Sequence, residues 1–166
     1  MLGLTPLGII HTLISLVAVA AGILAFVRYK EIVPDSGAGR WYVWGTVLTC
    51  LTGFGIFQHG GFGKPHALGI LTLLALAIAA LAWRGKLFGR AAPYVATVSY
   101  SLTFFFHMVP GITETTTRLP LGAPLFSGPD APGLQAVIGV VFLCFLAGVT
   151  LQLLHLRSTK RFTVAF

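Results

Sequence analysis

Charge is what this chain has least of. Of its 166 residues only 9% are Asp, Glu, Lys or Arg, and just four are acidic, whereas an ordinary soluble domain carries about 25% charged residues. That scarcity, with 56% hydrophobic residues, excludes a water-soluble globule. It also excludes charge-driven disorder, which needs low hydrophobicity and high net charge. Cysteine is nearly absent as well: Cys50 and Cys144 sit singly in apolar runs, so neither a disulfide framework nor a CxxC redox pair exists, and both read as small buried hydrophobes. The chain lacks a Walker loop, a dinucleotide fingerprint after a strand, HExxH and GxSxG, which removes the chemistries those motifs serve.

What is present is a series of apolar runs: Leu7–Val27, Trp41–Phe57, Ala67–Trp83, Tyr94–Val109 and Leu134–Leu156. A helix crossing the hydrocarbon needs about 20 such residues, with 17 near the lower limit. The fold class expected is therefore all-α, a polytopic membrane protein with a bundle of five transmembrane helices in a single domain spanning 1–166. The first run has no Lys or Arg before it and is longer than a signal-peptide core, so it is read as a retained span opened by Pro6. Pro110, Pro120, Pro124, Pro129 and Pro132 are expected to end the fourth span at Val109 and to deny the long separator a continuous helix.

Orientation follows from the basic residues, which mark cytoplasmic loops. Arg28, Lys30, Arg40, Arg84, Lys86, Arg90, Arg157, Lys160 and Arg161 fall on one side of the five-span arrangement, and Lys64 and Arg118 on the other. Nine against two places the N-terminus outside and the C-terminus in the cytoplasm of a bacterial inner membrane. Trp41, Tyr42, Trp44 and Trp83 then form an interfacial aromatic belt. The net charge of +7 is explained by this asymmetry, and no nucleic-acid partner is expected.

Small residues let transmembrane helices approach. His11, Ser15, Ala18 and Gly22 share one face of span one, which is expected to meet other helices while Leu13, Leu16, Ile23 and Leu24 meet lipid.

The same orientation puts four of the five histidines on the outer side. His11, His66 and His107 lie at membrane level within roughly 10 Å of one another in depth at 1.5 Å per residue, and His59 lies in the outer loop. Ionisable residues within a span are functional candidates by default. On span four, Tyr100, Thr103 and His107 make a polar stripe at helical spacing that should face the bundle interior. Glu114 follows one turn before Arg118. His11, His66 and His107 are the candidate metal or haem ligands. Glu114, His59 and Tyr100 are candidate ligands or outer-shell partners, and Lys64 and Arg118 are candidate partners for an anion or for haem propionates. Bland readings stand beside these: a solvated His59, a His66 that caps its helix, histidines that reach to the interface, and a Glu114–Arg118 ion pair.

Neutral imidazole with carboxylate suits zinc, iron or copper, and paired imidazoles from different helices suit haem b. In carrying histidines on several hydrophobic helices, the chain resembles small membrane b-type cytochromes in layout, which implies electron transfer or small-molecule redox work near the outer face. An alternative is a cofactor-free accessory or scaffold subunit that binds a membrane-protein partner. A metal or small-solute permease is a further alternative, and five spans would then need a homo-oligomer to enclose a path. No Asp, Glu, Lys or Arg stands at mid-membrane depth, which argues against a proton-coupled pump.

Overall fold

The structure is a computed structural model that describes residues 5–57, 61–85 and 87–163, with side chains through 159. Its described residues form five α-helices, α1 (Pro6–Tyr29), α2 (Gly37–Gly53), α3 (Lys64–Trp83), α4 (Ala92–Arg118) and α5 (Pro132–Thr163), with a short 3₁₀ turn at Gly89–Ala91 and no strand. Four helices are long and apolar enough to cross a bilayer: α1, α3, α4 with its preceding turn, and α5. At 17 residues α2 is the shortest of the five, about 25 Å at 1.5 Å per residue.

Local chemistry sets the helix starts. Thr5 Oγ1 accepts from Gly8 N ahead of Pro6, and Ser36 Oγ accepts from Gly39 N, each satisfying a donor that a helix start leaves open. In α3 the cap is a histidine: His66 Nδ1 accepts from Gly63 N at 3.2 Å. Between α1 and α2 the chain turns tightly around buried Ile32. Lys30 takes the left-handed conformation there, Glu31 accepts from Thr97 at 2.6 Å, and Asp35 accepts from Trp83 Nε1 at 2.8 Å.

Side-chain pairs give the helix directions. His11 meets Thr52, Ala18 meets Gly45 and Gly22 meets Tyr42, so α1 and α2 run antiparallel. Tyr42 pairs with Thr103 and Thr46 with His107. Both pairs are 61 residues apart, so advancing four residues on one helix advances four on the other, and α2 and α4 run parallel. Phe105 stacks on Phe145, and Ser101 bonds Gln152, which makes α5 antiparallel to α4. α5 packs on α4 and is otherwise tied to the bundle by Gln152 Nε2 donating to Lys30 O at 2.7 Å.

The small-residue face of α1 behaves as its sequence suggests. Ala18 and Gly22 are buried, while Leu13, Leu16, Ile23 and Leu24 are exposed. Two differences from the sequence reading bear on the interior of the bundle. α4 does not stop at Val109 but continues through Pro110 to Arg118. Beyond the proline, Thr116 and Thr117 hydroxyls donate to Ile112 and Thr113 carbonyls, and proline is more frequent within membrane helices than in soluble ones. Tyr42 is no belt residue either: it is fully buried, while its neighbours Trp41 and Trp44 are 68% and 65% exposed. α2 begins at Gly37, four residues before the apolar run, so Tyr42 is already in its second turn and turned inward.

Candidate histidine site and its hydroxyl supports

The polar interior of the bundle lies between α2 and α4. Tyr42, Thr46 and Thr103 are each fully buried, and His107 is nearly so. A buried polar group is tolerable only with a partner, and here the partners are mutual. Thr103 Oγ1 donates to Tyr100 O at 2.7 Å, so it accepts from Tyr42 OH, also at 2.7 Å. Thr46 Oγ1 donates to Tyr42 O at 2.8 Å, which leaves its oxygen to accept from His107 Nε2 at 3.0 Å. This network puts the His107 proton on Nε2 and its lone pair on Nδ1.

His11 is supported in the same manner from the other side of α2. Thr52 Oγ1 donates to Leu48 O at 2.8 Å and accepts from His11 Nδ1 at 3.1 Å, so the His11 lone pair sits on Nε2. The imidazole lies against Gly53, where an added Cβ would come within 3.2 Å of His11 Cε1. Glycine at that point lets the ring approach the α2 backbone. The two in-membrane histidines thus come from α1 and α4 and each takes a threonine of α2 as orienting partner. Each keeps one ring nitrogen with a lone pair.

The other sequence candidates are placed differently. His66 is buried, its ring stacked between Phe57 and Phe62 at centroid distances of 5.0 and 5.3 Å. Because Nδ1 accepts from Gly63 N, the His66 proton belongs on Nε2, which is buried without a hydrogen-bond partner. A neutral ring in that state offers a donor, so the geometry favours the capping role for His66 over ligation. Glu114 is paired with Arg118 at 2.6 Å one turn along α4, and Lys64 with Asp130 at 2.9 Å across an exposed surface. Tyr100 is buried in the apolar cluster with Leu76 and Ala79, and its carbonyl supports Thr103. His59 lies outside the described residues. Among the described residues no three His, Cys, Asp or Glu side chains are grouped so as to hold one metal ion.

Sequence reasoning passed over Tyr42, Thr46 and Thr52. A usable signal existed: Tyr42 and Thr46 are spaced i,i+4, as are Thr103 and His107, and two polar pairs of equal spacing on parallel helices can meet rung for rung.

The Tyr42 contact is worth about 1 kcal/mol, the usual net value of a hydrogen bond and within the range for interhelical bonds in membranes. Tyr42→Phe is expected to lower the apparent Tm of the detergent-solubilised protein by about 2–4 °C. Trp41→Phe, one residue away on the exposed face, is expected to leave it unchanged. The check is thermal unfolding of both variants beside the parent.

Comparison of the sequence with protein-family models, with curated proteins and with solved structures finds no match.

Proposed function

We propose that the chain is a five-span inner-membrane protein, N-terminus outside and C-terminus cytoplasmic, whose His11 and His107 bind a redox-active transition metal or haem b near the outer face for electron transfer or small-molecule redox chemistry. One observation carries this reading. Both histidines stand within helices, both are held through one nitrogen by a threonine hydroxyl whose own hydrogen is committed to a carbonyl, and both are left with a lone pair on the other nitrogen. Ligating histidines are characteristically oriented by a hydrogen bond at the second nitrogen. Both rings must be neutral to ligate. With two protein donors, the remaining positions of a metal would fall to exogenous ligands or to a macrocycle, which is compatible with redox chemistry at an open centre. On this reading Glu114 and Arg118 stand about two and three turns beyond His107, at the rim of the site.

The experiment is an oxidised-minus-reduced absorption spectrum of the full chain, freshly solubilised in mild detergent. The expected result is a reversible difference band, with a Soret shift if the group is haem. A flat difference spectrum would contradict the proposal.

The accessory-subunit reading has its own support in α5. None of the most hydrophobic stretch of this helix is buried within the chain, although it is the longest element. In that case co-purification with a membrane partner should survive His11→Ala with His107→Ala and fail on changes to the exposed face of α5.

A further inference from the structure

Between the end of α1, α4 and α5 runs a cavity of about 600 Å³, a volume in the range of small-molecule sites. Its walls are Phe26, Phe104, Phe105, Met108, Cys144 and Phe145. On α5 it extends from Val141 to His155, about 21 Å at 1.5 Å per residue, and it is therefore a long slot rather than a round pocket. Only one end is polar. There Lys30 and His155, both exposed, flank a fixed set of bonds in which Ser101 Oγ donates to Gln152 Oε1 and Gln152 Nε2 donates to Lys30 O.

Charge at that end is one-sided. Arg28, Lys30, Arg40, Arg84, Arg90 and Arg157 cluster there by helix end and connection, against Glu31 and Asp35. Both carboxylates are engaged, Glu31 by Thr97 and Asp35 by Trp83. An occupant with an extended apolar tail and an anionic head at one end matches both the slot and its mouth.

We infer that this slot binds an acidic phospholipid, with one acyl chain along the α4–α5 wall and the phosphate at Lys30 and His155. A polybasic membrane surface attracts acidic lipids by about 1 kcal/mol per Lys or Arg. The apolar walls offer the acyl chain surroundings like those of the bilayer itself, so the preference for one lipid over another falls to the head. Gly148 lies in the wall, and a Cβ placed there meets nothing within 4 Å. A larger side chain at 148 can therefore fill the slot without disturbing helix packing.

The test uses the full chain in phosphatidylcholine nanodiscs doped with phosphatidylglycerol that carries a photoreactive acyl chain. Cross-links are expected to concentrate on the α4 and α5 segments around Phe105 and Cys144. Unlabelled phosphatidylglycerol should compete about fivefold better than phosphatidylcholine. Lys30→Gln with His155→Gln should erase that preference, and Gly148→Leu should abolish the localised cross-links while leaving the apparent Tm unchanged. Cross-links spread evenly around the bundle, equal competition by phosphatidylcholine, or undiminished labelling of Gly148→Leu would each overturn the inference. Equal competition by a neutral lipid would show that the slot takes a tail without regard to its head.

Discussion

Gly39→Ala is expected to destabilise the protein by about 3 kcal/mol, the upper part of the usual range for overpacking, and to lower the apparent Tm by roughly 6–12 °C. The cause is backbone meeting backbone. A Cβ on Gly39 would collide with the Val33 carbonyl and approach Pro34 Cα to 2.9 Å. Neither can swing aside as a flexible side chain would, because the turn is tied at several points. Ser36 Oγ bonds Val33 O and Gly39 N, Glu31 is held by Thr97, Asp35 is held by Trp83, and Ile32 is buried. Two residues earlier Gly37 meets nothing within 4 Å, so Gly37→Ala is the matched control and should hold the parent Tm. Thermal unfolding of the two variants side by side makes the comparison, and equal melting of Gly39→Ala and parent would show that the α1–α2 turn is not packed as described.

The second large effect concerns the histidine pair. His11→Ala is expected to remove bound metal or haem while costing little stability, since that ring is only half-buried. His107→Ala removes a nearly buried ring and takes from Thr46 Oγ1 the donor it accepts from in the interior. It should therefore lose the cofactor and about 2–4 kcal/mol of stability together, as large-to-small core changes do. Gly53→Ala separates the two consequences. The added methyl presses on His11 Cε1 at 3.2 Å, so it should weaken binding by moving the ring while both ligands remain. A Gly53→Ala variant that binds as tightly as the parent would show that the His11 position is not critical.

Much of the fold is legible in the sequence because lipid imposes simple rules. Apolar runs of sufficient length mark α1, α3, α4 and α5, and the small residues Ala18 and Gly22 mark the α1 surface that meets α2. The end of α4 was not legible, since Pro110 stops helices in water and is better tolerated in membrane helices. Tyr42 was misleading for a different reason. Its neighbours Trp41 and Trp44 have the exposure of interfacial anchors, and only the start of α2 at Gly37 fixes which of the three turns inward. His11 and His107 were visible as ionisable groups in apolar helices, and the polar stripe of Thr103 and His107 was visible by its spacing. The threonines that orient them were not, because a threonine in an apolar helix most often bonds the carbonyl one turn before it. Thr46 and Thr52 do that and accept from a histidine as well. The convergence of His66 with the pair was an expectation from depth alone, and depth does not reveal that its Nδ1 is spent on the α3 cap.

The most direct test of the account is elemental and haem analysis of the full chain purified in mild detergent, beside the variant carrying His11→Ala and His107→Ala. The account predicts close to one transition-metal or haem iron per chain in the parent and a background level in the double variant, with His155→Ala matching the parent. Background levels in the parent, or equal levels in parent and double variant, would contradict it.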